Sequence, residues 1–123
     1  MRTHEPWLLI AQEDLDSAKH LSSVPFMTML FHVQQCAEKS FKAYLIFKNR
    51  ELVKTHDLIK LVVQCMEFEK DFETLRSFAS DLNTYETTGR YPDDHFKRPD
   101  QEKMKHLIKQ SESVLNYVRR QIK

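Results

Sequence analysis

This chain has almost no glycine: Gly89 is the only one in 123 residues, and the four prolines stand at 6, 25, 92 and 99. Tight hairpins draw on both residue types, so a sheet of many short strands is excluded and a few long helices are expected. Cysteine is scarce too. Cys36 and Cys65 fall outside any Cys-x-x-Cys arrangement, and the six histidines show no ligand spacing. No metal site and no cofactor are therefore expected, and the two thiols read as reduced core residues. Long hydrophobic runs are missing as well. The longest, residues 24–31 and 44–47, fall far short of the roughly 20 residues that cross a bilayer, so no membrane span is expected. The segment Met1–Trp7 carries Glu5 and Pro6 and lacks the apolar core and cleavage site of a secretory signal, which makes the cytoplasm the expected location. Finally, neither sign of charge dominates. Nineteen Lys and Arg against eighteen Asp and Glu leave a net charge of +1, which argues against a protein that coats nucleic acid by bulk electrostatics.

What is present fits an ordinary globular chain: 41% hydrophobic, 30% charged and 11% aromatic residues. At this length residues 1–123 read as one helical domain, burying about two thirds of the surface its unfolded chain would expose. There is no internal repeat and no low-complexity tract. The charge is unevenly spread. Residues 1–94 hold eleven basic and fifteen acidic side chains, whereas residues 95–123 hold eight and three. The carboxyl-terminal segment is thus a basic strip, either a contact for phosphates or an acidic partner, or a solvated helix face whose cations suit the carboxyl end of the dipole.

Apolar spacing predicts five helices. The first follows Pro6, with Trp7, Ile10, Ala11, Leu15, Ala18 and Leu21 inward, and runs to Ser22-Ser23. The second opens at Pro25 and buries Phe26, Met29, Leu30, Val33, Ala37, Phe41, Tyr44 and Leu45 before ending at Lys48 or Asn49. Thr55 is the expected N-cap of the third, with Asp57 in its first turn and Leu58, Leu61, Val62, Cys65 and Met66 inward. His56 reads as a residue of that capping region. The fourth covers approximately residues 68–86 and stops at Gly89, with Phe72, Leu75, Phe78, Ala79 and Leu82 inward. The fifth starts near Pro99-Asp100 and keeps Met104, Leu107, Ile108, Ser111, Leu115, Val118 and Ile122 on one stripe. Short links between such helices imply an all-α, antiparallel up-and-down bundle of four to five helices, with neighbours packed at about 20°. The aromatics at helical spacing read as core packing, not as a ligand cage.

Two patterns carry chemistry. In the loop from Thr87 to His95, Arg90 and His95 stand five positions apart. An arginine holds phosphate at any ordinary pH, and a histidine moves protons near neutrality. The bland reading is that Arg90 ties down a helix end and His95 is a solvated loop residue. On one continuous helix, positions five apart would lie about 140° around the axis, so a bend at Pro92 is needed for the two to converge. Asp93 and Asp94 favour the protonated imidazole but repel an incoming phosphate. The second pattern is a ridge of His32, Gln35, Lys39 and Lys42 at steps of three and four along the second helix, either an interface or a hydrated face.

Taken in order, Trp7 with Ala11 to Ala18, Phe31-His32-Val33-Gln34-Gln35, Ala37-Glu38-Lys39, Lys42-Ala43-Tyr44-Leu45, Thr55-His56-Asp57-Leu58 and Tyr85 with Arg90-Tyr91-Pro92 resemble the HEPN domain family across almost the whole chain. The resemblance implies a small helical bundle that commonly dimerises and is often encoded beside a minimal nucleotidyltransferase in toxin-antitoxin pairs. Many members look like metal-independent ribonucleases that use an Arg, four to six intervening residues and a His, a pattern met here by Arg90 and His95 as the catalytic pair. Arg90, with Lys97 and Arg98 of the basic strip, is the expected phosphate or nucleotide contact. Relatives controlled by adenylylation would have a tyrosine two positions after the histidine; Lys97 stands there, so that control is not expected. The function so implied is a toxin-like partner of a nucleotidyltransferase antitoxin, a homodimer acting as an endoribonuclease on RNA. The alternative is a non-enzymatic helical module that binds a nucleotide or a partner.

Overall fold

The computed structural model describes residues 3–20, 26–52, 54–85 and 99–122. These form five α-helices, α1 (Glu5–His20), α2 (Phe26–Phe47), α3 (Leu58–Met66), α4 (Arg76–Thr84) and α5 (Gln101–Gln121), with a 3₁₀ turn over Lys70–Leu75 and, among the described residues, no strand. The all-α bundle expected from spacing is the architecture found.

Helix α2 is the axis of the molecule and packs against each of the other four helices. Its composition explains why: beside the stripe Leu30, Val33, Ala37, Phe41, Tyr44 and Leu45, the residues Cys36, Ala43 and Ile46 on other faces are also buried, so apolar groups cover more of its circumference than one surface stripe would. Asn49 ends it in a left-handed conformation, φ 59°. The Arg50 amide donates to the Leu45 carbonyl and the Asn49 amide to Ile46, both at 2.8 Å, so two carbonyls left over at the helix end are satisfied by the reversal of the chain. Helix α5 lies along α2 and is joined to it by Ser111, whose buried hydroxyl donates to the Val33 carbonyl at 2.7 Å.

Two boundaries differ from the spacing. Asp57, not Thr55, caps α3: its side chain accepts from the Ile59 and Lys60 amides, while Thr55 Oγ1 accepts from the Asp57 amide at 3.0 Å and shapes the approach. The single fourth helix expected from residue 68 is divided, because the 3₁₀ turn Lys70–Leu75 precedes α4. With three residues per turn, positions i and i+3 eclipse, so Phe72 and Leu75 both enter the core, and Phe72 meets Tyr44 at 4.5 Å and Tyr117 at 4.9 Å between ring centroids. Ile10, expected inward, is 42% exposed. It stands one position before Ala11 of the buried stripe Ala11, Leu15 and Ala18, about 100° around the helix.

Cys36 and Cys65 are buried free thiols. Burial, only partly offset by a hydrogen bond with Ser111, pushes Cys36 up to about 11, and burial also pushes Cys65 up. Both are thus inert core residues. Among the described residues no helix is long and apolar enough to cross a membrane.

Candidate functional site

Arg90, His95, Lys97 and Arg98 lie outside the described residues, as does Gly89. The structure does show what holds the two sides of that segment. On α4, Asn83 donates from Nδ2 to Asp57 Oδ1 at 2.8 Å and accepts the Leu58 amide on Oδ1 at 3.0 Å. On α5, Asp100 caps the helix by accepting the Lys103 amide at 2.7 Å, and Lys103 Nζ reaches back to Asp81 of α4 at 2.6 Å. Near each end of the segment the chain is therefore fastened, Asn83 to the start of α3 and Lys103 to α4.

Beside Asn83 lies a cluster centred on Glu38. Its side chain is 4% exposed, its Oε2 accepts from Lys42 Nζ at 2.9 Å, and its Oε1 accepts from His56 Nδ1 at 2.8 Å; Lys39 Nζ stands 3.8 Å away. A buried carboxylate is costly unless paired. Here burial raises the Glu38 acid, but the hydrogen bonds from His56 and Lys42 and their charges outweigh it and hold the group below the ordinary glutamate value. The imidazole belongs to the run between α2 and α3, and its side chain is 53% exposed. Because Nδ1 donates to the carboxylate, the neutral ring carries its lone pair on Nε2. A cavity of about 10 Å³ lined by Gln34, Gln35, Glu38, His56 and Asn83 adjoins the pair, room for about one water. Gln34 spans from α2 to α4 by donating to the Leu82 carbonyl at 2.9 Å.

The polar ridge on α2 is not one hydrated face. Lys42 is buried against Glu38, Lys39 lies 5.6 Å over the Trp7 ring, and His32 Nδ1 meets Asp14 of α1 at 2.7 Å. Three of its four members are thus drawn to side chains, Lys42 to Glu38, Lys39 to Trp7 and His32 to Asp14. Spacing missed the Glu38–His56 bond because the partners are 18 residues apart and His56 lies outside any helix; the visible signal was the Glu38/Lys42 spacing of four, which puts both on one face.

The described part of the basic strip is partly consumed in contacts. Lys103 pairs with Asp81, Lys105 lies 3.6 Å from Glu102, Arg119 donates to Gln12, and Arg120 stacks over Tyr117. Lys105 and Lys109 also line a groove of about 600 Å³ between α1 and α5, with Met29 and Met104 among its walls. Among the described residues no three His, Cys, Asp or Glu side chains gather closely enough to hold a metal ion.

The family model of the HEPN domain matches residues 4–121. The crystal structure of an archaeal HEPN homologue superposes with a TM-score of 0.79 at 25% identity, covering 100% of each chain. No curated protein matches the chain.

Proposed function

This chain belongs to the HEPN domain family, and from that premise we propose that it is a toxin-like cytoplasmic protein that cleaves RNA as a homodimer and works beside a minimal nucleotidyltransferase. The observation that carries the reading is the pair Arg90 and His95, with four residues between them, in the segment that joins α4 to α5. His95 would take the proton from a ribose 2′-hydroxyl as that oxygen attacks the adjacent phosphate, and Arg90 would stabilise the charge that develops there. A twofold dimer would gather two copies of each group around one cleft. The expected products carry a 2′,3′-cyclic phosphate.

The test is incubation of the purified protein with RNA in excess chelator, followed by end-group analysis. Cyclic phosphate ends are expected, and His95→Ala should slow cleavage by about 100-fold or more; a mutant that cuts at the parental rate rejects the assignment. A second reading, a non-enzymatic nucleotide- or partner-binding module, draws support from the groove edged by Lys105 and Lys109. Intact RNA together with a thermal shift in millimolar ATP or GTP would favour it.

A further inference from the structure

Three of the five large hydrophobic residues that stand exposed among the described residues belong to one face: Leu9 at 63%, Ile10 at 42% and Phe31 at 42%. The other two lie apart, Val63 on α3 and Phe68 beneath the Arg50 guanidinium. Trp7 of α1 lies under Lys39 of α2 and Asp14 meets His32, so the numbers rise along one helix as they fall along the other. The two helices are antiparallel. Ile10 stands one turn before Asp14 on the same side of α1, and the Phe31 ring packs edge-on against His32 at 5.6 Å. Both apolar groups therefore flank the bond that ties α1 to α2.

Helix α2 is the floor of this face. Lys39 leans toward Trp7 of α1, while Glu38, one position away and about 100° around the helix, holds His56 of the run leading into α3. Gln35 precedes that pair of positions by about one turn and Phe31 by two, so the strip between the two flanks is theirs. The flanks carry opposite charge. Glu13 and Asp16 stand exposed on α1, whereas Lys54 and Lys60 stand exposed on either side of His56. The charges nearer the floor are already matched, Asp14 with His32 and Glu38 with Lys42 and His56.

An apolar floor between an acidic and a basic flank is its own complement. Half a turn about an axis through the floor lays the acidic flank of one copy over the basic flank of the other, at both ends of the contact. A partner of one sign would be repelled by one flank. We infer that this face, centred on Ile10 and Phe31 with Leu9 at its edge, is where two copies of the chain meet about a twofold axis. The inference gives a surface to the homodimer of the reading above and rests on that part of it, not on the catalytic pair.

The experiment is sedimentation equilibrium of the full-length parent and its variants. The parent is expected to dimerise at concentrations up to about 100 µM. Ile10→Asp and Phe31→Asp change exposed positions, and each should keep the helical circular dichroism while weakening self-association by about 30-fold or more, as loss of a central apolar anchor does. Charge reversal then reads the pairing of the flanks. Glu13→Lys with Asp16→Lys makes both flanks basic, and Lys54→Glu with Lys60→Glu makes both acidic, so neither double variant should dimerise alone, whereas their equimolar mixture should form dimers. A parent that stays monomeric at that concentration overturns the inference and the homodimer together. A parent dimer that both apolar variants leave intact is made elsewhere, and a mixture no tighter than its components lacks the crossed flanks; either overturns the inference alone. A parent that dimerises through this face yet leaves RNA intact upholds the inference and rejects the ribonuclease reading.

Discussion

Helix α2 contributes to two carboxylate–histidine pairs of nearly equal length, Asp14–His32 at 2.7 Å and Glu38–His56 at 2.8 Å, and the two pairs divide their burial differently. In the first, both members are largely covered, at 14% for the carboxylate and 26% for the ring, and the bond joins α1 to α2. In the second, the carboxylate is sunk to 4% and the ring stands out at 53%. Bond length therefore says little about role. A pair covered on both sides ties two helices; a pair with one half buried and satisfied elsewhere presents the other half to solvent.

The largest effect that would sharpen the contrast is in Glu38→Ala, which leaves Lys42 buried without its partner and should cost about 3 to 5 kcal/mol by denaturant unfolding. Asp14→Ala, at a site more open to water, should cost about 1 kcal/mol, and equal losses would erase the distinction between the two pairs. An acid titration of stability probes the same contrast through the proton. The folded Glu38 carboxyl lies below its ordinary 4.5, so its contribution is present above that pH and is lost as pH falls through the folded value. Asp57, lowered chiefly by the Asn83 hydrogen bond, acts in the same direction. In Glu38→Gln the decline in stability below about pH 4.5 should be shallower than in the parent, and an unaltered slope would show that the buried pair does not govern acid unfolding. His32→Ala should match Asp14→Ala at about 1 kcal/mol, as removal of either end of one bond should, and a loss well above that would show that the ring holds more than its carboxylate.

The bundle was legible because its signals are local and periodic. Leu58, Leu61, Val62 and Cys65 recur at helical spacing and are all buried, and the α5 stripe from Met104 to Val118 does the same. Single boundaries were less legible. Thr55 and Asp57 can both cap a helix, and the choice fell to Asp57, which also receives the Asn83 amide from α4. The split at Lys70–Leu75 arose because Phe72 has aromatic partners on both α2 and α5, a demand that no local window contains. Arg90 and His95 were legible as a motif, and Asn83 and Lys103, one on each side of their segment, are tied to neighbouring elements.

Sequence by itself determined the fold class, the five helices and their apolar faces, and membership of the family, since each follows from residue type and spacing along one chain. Only the tertiary structure decided that Glu38 would be buried, that Lys42 would leave the polar ridge to neutralise it, and that His56 would be held against it from 18 positions away. The reason is physical. Apolar periodicity is written into every turn of a helix, whereas the pairing of a buried charge depends on which helices meet, and that is settled when the whole core closes.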